Sequence, residues 1–386
     1  MISRNFFTDI YPIKFLGEMV EFLDSKRRPV TESDRRAGNY PYYGANGKQG
    51  TIDDYIFDEP LVLLAEDGGH FGNPERGIAY QISGKTWVNN HAHVLRPKEN
   101  IDLAFLCRVL ENYDVTPFVT GTTRGKLTQA GAAGIPIPIP PIAEQKRIAE
   151  ILDRTQSLIS KRKEAIAKLD TLTQSIFLEM FGDPVTNQKK WKIINMSECA
   201  ARIQIGPFGT QLHEEDYIDN GIPLINPTHI KNGKIFPNSA FSISSEKHQQ
   251  LSQYHLEIDD VILGRRGEMG RCAIISENEN GWLCGTGSLF IRPKHELLNS
   301  FYLFCVLSSQ SIKKYLEKAS QGVTMANLNK TIVSQIPMTV PPLPLQKEFA
   351  QRVEAVEKLK ATHRASLSQL EALFASLQHR AFRGEL

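Results

Sequence analysis

The stretch IPIPIPPIAEQKRIAEIL, from Ile135 to Leu152, passes directly from a proline-rich segment into a helix pattern. A second stretch, IPMTVPPLPLQKEFAQRV from Ile336 to Val353, makes the same transition. The isoleucine, proline, glutamine and lysine that the two stretches share are separated by a constant 201 residues. The chain therefore repeats one structural joint, which predicts a duplicated architecture.

The repeat extends beyond this joint. GTTRGKLTQAG (121–131) matches GVTMANLNKTI (322–332) in its glycine, threonine and leucine at the same offset. Near the start of each copy, YPIKFLGE (11–18) resembles WKIINMSE (191–198) at an offset of 180, so the second copy carries about twenty additional residues in its middle. Two copies indicate a duplication, because a solenoid needs at least ~3 stacked repeats.

A long heptad pattern follows each joint. Positions that step by four and three residues are apolar at seven of ten places from 148 to 180, and at eight of ten from 349 to 381. The shared phase favours packing of the two helices on each other, and packing of each helix on its own domain is the alternative. The heptads alone allow parallel as well as antiparallel packing. The predicted helix–helix contacts are Ile148, Leu152, Ile159, Ile166, Leu169, Ile176, Phe349, Val353, Val356, Leu367, Leu370, Phe374 and Leu377.

The prolines separate this helix from the preceding domain. Proline fixes φ and pushes its predecessor towards extended geometry, so Pro136, Pro138, Pro140 and Pro141 keep the segment out of the helix. The alternation of isoleucine with proline favours a packed edge strand that acts as a stiff spacer, and a proline-rich ligand is the alternative. A helix of about forty residues would span roughly 60 Å, or one to two turns of DNA at ~34 Å per turn. Such a spacer would suit a reader of a split sequence.

Composition predicts a globular protein of at least two domains. The chain has 386 residues, of which 41% are hydrophobic and 23% charged. Five cysteines without a CxxC pair predict neither a disulfide framework nor a zinc site. Without an apolar run of ~18 residues or a signal core, we expect a cytoplasmic protein with no membrane segment. A net charge of +2 limits any DNA contact to local basic patches.

With these features, the chain resembles the specificity subunit of a type I restriction-modification system over nearly its whole length. The resemblance is carried by the repeated Pro-Pro…Gln-Lys helix entry, by IFLEMFGDP (176–184) and by the closing FASLQHRAFRGEL (374–386). Further family-like segments are YYGANGKQGTIDDYIF and WVNNHAHVLRP in the first copy, and GPFGTQL, GIPLINPTHIKNGKI and RRGEMGRCAII in the second.

The resemblance implies an α+β fold class, with two mixed α/β target recognition domains separated by two long antiparallel helices that form a coiled coil. It implies a pseudo-twofold internal repeat with recognition domains at 1–141 and 184–342 and spacer helices at 142–183 and 343–386. It also implies a non-catalytic subunit that reads a bipartite, asymmetric DNA site with one domain per half-site. The implied partners are double-stranded DNA, two adenine-N6 methyltransferase subunits that bind S-adenosylmethionine, and restriction (motor-nuclease) subunits that use ATP and Mg²⁺.

Motifs of catalysis and cofactor binding are missing from the sequence. The nearest matches to the Asn/Asp-Pro-Pro-aromatic loop of amino-methyltransferases, at Asn73 and Asn226, lack the second proline and the aromatic residue. GRRGEMG (264–270) lacks the G-x-G-x-x-G spacing, and there is no P-loop. We therefore expect no catalytic residue and no cofactor in this chain. His91 and His93 do not close a tetrahedral zinc site, so we expect no metal and a structural or hydrogen-bonding role, with a DNA contact as the main alternative.

Glycine-rich loops carry the candidate DNA contacts. A loop tip can enter a groove, where Arg binds guanine and Asn or Gln binds adenine. A solvated surface charge is the alternative for each Lys and Arg, and phosphate contacts are commoner than base contacts. The first-copy candidates are Thr122, Thr123, Arg124 and Lys126, followed by Asn46 and Lys48. The second-copy candidates are Arg265, Arg266, Arg271, Thr210, Gln211 and Lys231.

Two other functions compete with this interpretation. A stand-alone DNA enzyme would need a catalytic loop, which the sequence lacks. A coiled-coil scaffold with two protein-binding domains is compatible with the heptads. Protection of a split DNA sequence by the chain together with a methyltransferase would separate a specificity subunit from a scaffold.

Overall fold

The chain forms two compact units in a computed structural model. Unit 1 contains residues 1–165 and 363–386, and unit 2 contains residues 166–362. Both boundaries fall inside a long helix, so each unit combines a globular part with one segment of each long helix. The structure describes Ile2 and residues 7–8, 10–73, 76–121, 125–319 and 327–386.

Among its described residues, the globular part of unit 1 contains twelve short strands and three short α-helices before the first long helix. In chain order, these elements are β1 (Ile13–Phe15), α1 (Leu16–Met19), β2 (Val20–Phe22), β3 (Tyr40–Gly44), β4 (Gly47–Ile52), β5 (Phe57–Asp58), β6 (Leu61–Ala65), β7 (Ala79–Ile82), β8 (Lys85–Val88), β9 (Ala92–Pro97), α2 (Leu103–Glu111), β10 (Val119–Thr120), β11 (Lys126–Leu127), α3 (Gln129–Ala133), β12 (Pro136–Pro138) and the long α4 (Ile142–Phe181).

Unit 2 repeats this plan and ends in the second long helix. Its elements are β13 (Lys192–Asn195), α5 (Met196–Cys199), β14 (Ala200–Ile205), β15 (Tyr217–Ile218), β16 (Ile222–Ile225), β17 (Ile230–Lys231), β18 (Lys234–Ile235), β19 (Ser242–Ile243), α6 (Ser245–Gln250), β20 (Val261–Gly264), β21 (Cys272–Ile274), β22 (Leu283–Cys284), β23 (Ser288–Pro293), α7 (Ser300–Ser308), α8 (Gln310–Ala319), α9 (Lys330–Ser334), β24 (Pro337–Val340) and α10 (Leu343–Arg383).

Two four-stranded sheets form the body of each unit. In unit 1 the strand orders are β2-β9-β6-β7 and β4-β3-β8-β5, with a parallel pair between β3 and β8. In unit 2 they are β14-β23-β20-β21 and β15-β19-β16-β22, with a parallel pair between β16 and β22. The first sheets have matching strand orders and the second sheets share the parallel pair, so the sequence repeat reflects a repeated fold with differences in the second sheet.

The central strand β6, with the sequence LVLLA, shows why these residues form a sheet. It is buried along its whole length, because alternate side chains enter different cores. Val62 and Leu64 belong to a core that includes α2, whereas Leu61 and Leu63 pack with residues of β8 and β9. Each such fully buried aliphatic side chain contributes roughly 1.5–3 kcal/mol to stability.

Strand register locates the additional residues of the second copy. β2 pairs with β9 through Val20 and Pro97, and β14 pairs with β23 through Ala200 and Pro293, so the first strand keeps the offset of 180. β6 pairs with β9 and β20 pairs with β23 in the same register. Val62 of β6 and Val261 of β20 occupy matching positions, which gives an offset of 199. The additional residues therefore lie between β14 and β20.

The repeated joint is built in the same way in both units. The proline-rich segment forms β12 or β24, which pairs antiparallel with β1 or β13. Gln145, just inside α4, is buried and accepts a hydrogen bond from the N–H of Asp102 at 2.8 Å. Its amide group donates to the carbonyl oxygens of Asn100 and Pro140. Gln346 makes the same three kinds of backbone bond in unit 2, so the repeated glutamine fastens each long helix to its domain.

The two long helices run antiparallel within each unit. In unit 1, Ile148 near the start of α4 shares a core with Phe382 near the end of α10. In unit 2, Phe177 near the end of α4 contacts Phe349 near the start of α10, with ring centroids 5.6 Å apart. The direction that the heptads left open is therefore antiparallel. The following predicted contact residues are buried or half-buried: Ile148, Leu152, Ile159, Ile166, Leu169, Ile176, Phe349, Val353, Val356, Leu367, Leu370, Phe374 and Leu377.

The basic residues that interrupt the heptad seam are paired. Arg162 and His363, which are counterparts in the repeat, contact each other. Lys360 is buried and forms ion pairs with Asp170 at 2.8 Å and Glu357 at 2.7 Å. Because an unpaired buried cation is strongly unfavourable, these pairs favour one register of the seam.

Each unit is thus a mixed α/β domain joined to antiparallel helices, which confirms the expected fold class. The segments predicted as spacers, 142–183 and 343–386, contain α4 and α10. The proline-rich segment is a paired and largely buried strand in both units, as favoured over an exposed ligand. Within the described ranges, the helices lack the combination of length and apolar character needed to cross a membrane.

Candidate DNA interface

The candidate interface lies at one edge of each unit, where buried strands end in polar loops. In unit 1, β3, β6 and β8 end at this edge and β9 begins there. In unit 2, the corresponding strands are β16, β20, β22 and β23. We call this the strand-end edge. It comprises residues 44–49, 66–68 and 89–91 of unit 1, and residues 226–228, 265–271 and 285–287 of unit 2.

A backbone hydrogen bond identifies corresponding positions of the two edges. The N–H of Glu66 donates to the carbonyl oxygen of His91, and the N–H of Arg265 donates to that of Gly287, both at 2.9 Å. Glu66 therefore corresponds to Arg265, and His91 corresponds to Gly287. A second pair of hydrogen bonds confirms this correspondence. The N–H of Leu127 in β11 donates to the carbonyl oxygen of Glu66, and the N–H of its repeat counterpart Leu328 donates to that of Arg265.

The two residues that follow β6 and the two that follow β20 have side chains of opposite charge. Unit 1 has Glu66 followed by Asp67, whereas unit 2 has Arg265 followed by Arg266. The two edges therefore share a backbone arrangement but present different hydrogen-bonding groups. Different hydrogen-bonding groups at matched positions are compatible with contacts to two different base sequences.

In unit 1, His91 is held at its ring and at its backbone. Its Nδ1 lies 2.6 Å from Asp67 Oδ1, and its side chain is 40% exposed. The N–H of His91 donates to Asn89 Oδ1 at 2.8 Å, and the side-chain amide of Asn89 donates to Gln49 Oε1 at 3.2 Å. Together with Asn46, these residues line a cleft of about 470 Å³.

The other first-copy candidates differ in how the structure places them. Asn46 lies at this cleft, where its side chain donates to the carbonyl oxygen of Gly68 at 2.9 Å. Lys48 is exposed on β4. Lys126 is exposed on β11 and forms an ion pair with Glu66 at 2.9 Å. The remaining candidates, Thr122, Thr123 and Arg124, lie outside the described residues.

Glu66 is a buried anionic residue of the strand-end edge of unit 1. It contacts Arg27 at 2.5 Å in addition to Lys126. Burial alone would raise the pKa of Glu66, but the hydrogen bonds from Lys126 and Arg27 outweigh burial and hold this pKa below its ordinary value. Glu66 therefore remains ionised and binds the β11 lysine to the strand-end edge.

Asp24, Glu66 and His93 offer potential metal-ligand atoms within 4.8 Å of one another. His93 is fully buried, and its Nδ1 lies 2.6 Å from Asp24 Oδ2. Arg27 and Lys126 already supply positive charge to these carboxylates. These donor atoms form an ion-pair network within unit 1, in which the ring of His93 contacts Asp24 and the carbonyl oxygen of Leu127.

In unit 2, the two adjacent arginines have different surroundings. Arg265 is half-buried, and its guanidinium donates to the carbonyl oxygens of Leu328 at 2.8 Å and Thr286 at 3.4 Å. Burial and the neighbouring Arg266 lower the pKa of Arg265. Arg266 is exposed, and no hydrogen bond or ion pair joins its side chain to the described part of the chain. Arg266 is therefore the better placed of the two to contact DNA.

A basic cleft of about 580 Å³ adjoins the strand-end edge of unit 2. Lys231, Arg271 and Lys313 line it, together with Glu268. Glu268 contacts Lys313 at 3.2 Å and Arg271 at 3.3 Å, and these hydrogen bonds lower the pKa of its carboxyl group. With three cations and one carboxylate, the cleft suits a phosphate of a DNA backbone.

Thr210 and Gln211 lie on the loop that follows β14. This loop starts at Gly206, where a Cβ atom would come 2.0 Å from the carbonyl oxygen of Gly285, so only glycine permits the close approach. Gln211 Oε1 accepts hydrogen bonds from Tyr254 Oη at 2.6 Å and from a backbone N–H of its own loop. Thr210 is exposed. An adenine contact through both ends of the Gln211 amide would therefore compete with the contacts that fix this loop.

The structure brings some candidates together and separates others. Lys231 and Arg271 line one cleft of unit 2, while Thr210 and Gln211 belong to a different loop. Sequence reasoning missed Lys313, because this residue lies on α8 and reaches the cleft only through the tertiary fold. It also missed Asp67, because the offset of 199 that matches Asp67 to Arg266 follows from strand pairing and differs from the offsets of 201 and 180 that the sequence shows.

Comparison with known proteins agrees with the duplicated architecture. Residues 11–169 and 204–372 match the sequence profile of the type I restriction modification DNA specificity domain. The chain is similar to a Haemophilus influenzae protein named as a type I restriction enzyme specificity subunit, with 29% identity over 90% of this chain and 87% of that protein. It is also similar to the MjaVIII specificity subunit of Methanocaldococcus jannaschii, with 22% identity over 92% of this chain and 88% of that protein.

Solved structures show the same fold at low sequence identity. The S subunit of a type I restriction-modification system from M. genitalium matches with a TM-score of 0.60 and 15% identity, over 97% of each chain. A second solved structure, from work on assembly and conformational transition of the type I system, matches with a TM-score of 0.60 and 17% identity, over 98% of this chain and 99% of that chain.

Proposed function

The chain belongs to the family of type I restriction-modification DNA specificity proteins, and we propose that it is the specificity subunit of a type I restriction-modification enzyme. In this role it reads a bipartite, asymmetric DNA site, with one half-site bound by each unit. The strand-end edge is the surface that meets the DNA.

The observation that carries this proposal is the different chemistry of the two edges. Glu66 and Asp67 of unit 1 correspond to Arg265 and Arg266 of unit 2, on the same backbone arrangement. A duplicated scaffold with two sets of edge side chains is suited to two unlike half-sites. Protection of a split DNA sequence would separate this function from a scaffold with two protein-binding domains.

Catalysis belongs to partner subunits in this proposal. The sequence carries neither an amino-methyltransferase loop nor a P-loop, which supports a chain that positions DNA without modifying it. Adenine methylation would be performed by two methyltransferase subunits that bind S-adenosylmethionine. Cleavage would be performed by restriction subunits that use ATP and Mg²⁺, and the assembly would act in the cytoplasm.

Methylation mapping tests the proposal directly. A host without endogenous adenine methylation would express the chain together with its methyltransferase partner, and modified adenines would be located across the genome. We expect one motif made of two defined half-sites with a constant gap. The same host expressing the methyltransferase partner alone is the control. Equal methylation in that control, or a single uninterrupted motif, would contradict the proposed function.

A further inference from the structure

We propose that the Asp67–His91 pair is a base-reading element of unit 1. In this proposal, His91 Nε2 accepts a hydrogen bond from the exocyclic amino group of an adenine or a cytosine in the half-site bound by unit 1. The inference rests on the proposed function, since it places duplex DNA along the strand-end edge.

His91 is preorganised for such a contact. Asp67 fixes the ring through the 2.6 Å contact to Nδ1, and Asn89 fixes the backbone N–H at 2.8 Å. The carbonyl oxygen of His91 accepts the N–H of Glu66 at 2.9 Å. With ring and backbone both held and the side chain 40% exposed, binding DNA would order few additional torsions.

The contact to Asp67 also determines which hydrogen-bonding group His91 presents. A carboxylate accepts hydrogen bonds, so Nδ1 carries a proton and donates it to Asp67. In the neutral ring, Nε2 is then an acceptor. In the major groove, the donors of base pairs are the amino groups of adenine and cytosine, so an acceptor at this position selects one of these two bases.

The surroundings of His91 fit a base edge. The cleft of about 470 Å³ beside it is lined by the amide side chains of Asn46, Gln49 and Asn89 and by Arg35, whose guanidinium donates to the carbonyl oxygen of Gln49 at 3.1 Å. The amide of Asn89 donates to Gln49 at 3.2 Å, which orders the wall of the cleft. A carboxylate at an exposed DNA surface would repel phosphates, but Asp67 lies behind His91 and is only 17% exposed.

The corresponding position in unit 2 has the opposite hydrogen-bonding character. His91 is replaced by Gly287 and Asp67 by Arg266, whose guanidinium offers only donors and suits guanine. The Asp67–His91 pair thus supplies an acceptor at the same place where unit 2 supplies a donor. This exchange gives the two units different base preferences on one scaffold.

The test uses the full chain assembled with its methyltransferase partner. Methylated motifs would be mapped for the wild type, for His91→Ala and His91→Gln, and for the control Lys85→Ala. Lys85 is exposed at the opposite end of β8, away from the strand-end edge. We expect both His91 variants to keep the gap and one half-site unchanged and to accept additional bases at one position of the other half-site. We expect Lys85→Ala to keep the wild-type motif.

A second measurement identifies the atom that is read. His91→Ala is expected to accept additional bases at one position of the half-site. A synthetic duplex would carry, at that position, an analogue of the adenine or cytosine that lacks the exocyclic amino group. Loss of one hydrogen bond predicts roughly 2- to 10-fold weaker binding by the wild type. His91→Ala should bind both duplexes equally, because the partner of the amino group is already gone.

Each other outcome overturns the inference. An unchanged motif in both variants would remove His91 from base reading, while a split wild-type motif in the same experiment would leave the proposed function intact. Loss of methylation at every sequence in both variants, with or without loss of the thermal unfolding transition, would give His91 a general structural role. If the wild type itself lacked a split motif, the proposed function would fail together with the inference.

Discussion

At the residue scale, neighbouring side chains of the same type have different roles. Arg265 and Arg266 are adjacent and both basic, yet the guanidinium of Arg265 is bound to backbone carbonyl oxygens of its own unit and Arg266 is exposed. His91 and His93 are two residues apart on the chain, but the ring of His93 is fully buried and that of His91 is 40% exposed. Burial and hydrogen-bond partners, rather than residue type, therefore separate structural residues from candidate readers.

The arginine pair gives a prediction at this scale. Arg265→Ala should lower the free energy of unfolding by about 1–3 kcal/mol, because the carbonyl oxygens that it satisfies lose their donor. Arg266→Ala should change stability by less than about 0.5 kcal/mol but weaken specific DNA binding by about 1–3 kcal/mol and relax one half-site. Chemical denaturation and binding titrations would measure the two effects. Equal destabilisation by both substitutions would contradict the assignment.

A pH dependence follows from the histidines of unit 2. Burial lowers the pKa of His248. The ring of His255 stacks on that of His248, with ring centroids 3.7 Å apart, and its charge lowers this pKa further. Burial also lowers the pKa of His229. Since the unfolded chain binds these protons more readily, stability is full above the ordinary histidine pKa of about 6.5 and decreases as the pH falls through that value.

The experiment compares thermal unfolding of the wild type and His248→Gln between pH 7.5 and pH 5.5. As the pH falls, the free energy of unfolding of the wild type should decrease more steeply than that of the variant. Because His248 binds one proton, the difference is at most about 1.4 kcal/mol per pH unit. His295→Gln, at an exposed position, is the control and should follow the wild type. Identical pH curves for the wild type and His248→Gln would contradict the prediction.

At the element scale, the start of each long helix is determined by one buried glutamine. Gln145 and Gln346 use both ends of the side-chain amide to satisfy backbone groups of a domain loop and of a proline two residues before the helix. Prolines before the glutamine end the strand, and the glutamine orients the helix. The joint therefore contains both prolines and a glutamine in each copy, because the prolines and the glutamine have different functions.

Replacing either glutamine should weaken the junction. Gln145→Ala leaves three backbone groups without their hydrogen-bond partner. Each buried unsatisfied group costs about 1–3 kcal/mol, and water would replace part of the lost bonds, so the free energy of unfolding should fall by about 2–4 kcal/mol. Lys146→Ala, at the adjacent exposed position, should change it by less than about 0.5 kcal/mol. Denaturant titration of the two variants measures the difference. A neutral Gln145→Ala would show that the bonds are replaceable.

At the scale of the whole molecule, the near-neutral charge is informative. The chain has 45 basic and 43 acidic side chains, so phosphate attraction must come from local groups such as Lys231, Arg271 and Lys313. A specificity subunit of this composition should bind DNA modestly on its own. Strong binding would require the additional basic surface of methyltransferase partners around the duplex.

This expectation can be measured with the chain alone and with the assembled complex. At physiological salt the chain alone should bind a cognate duplex with no better than about micromolar affinity, within the range of non-specific binding. Addition of the methyltransferase partner should tighten binding by at least about 10-fold, or 1.4 kcal/mol. A scrambled duplex is the control. Full-strength cognate binding by the chain alone would contradict the proposed dependence on partners.

The sequence by itself determined the duplication, the two long helices and the absence of catalytic motifs, because these depend on periodicity and spacing along the chain. Heptads at an offset of 201 and prolines before Gln145 and Gln346 are local signals that any packing must respect. The heptads suit both helix directions, and the tertiary structure confirmed the antiparallel direction that the family resemblance implied. Only the tertiary structure decided that Arg265 is bound inside unit 2 and that His91 is held by Asp67, because these contacts join residues that are far apart in sequence and meet only where strands end at a common edge.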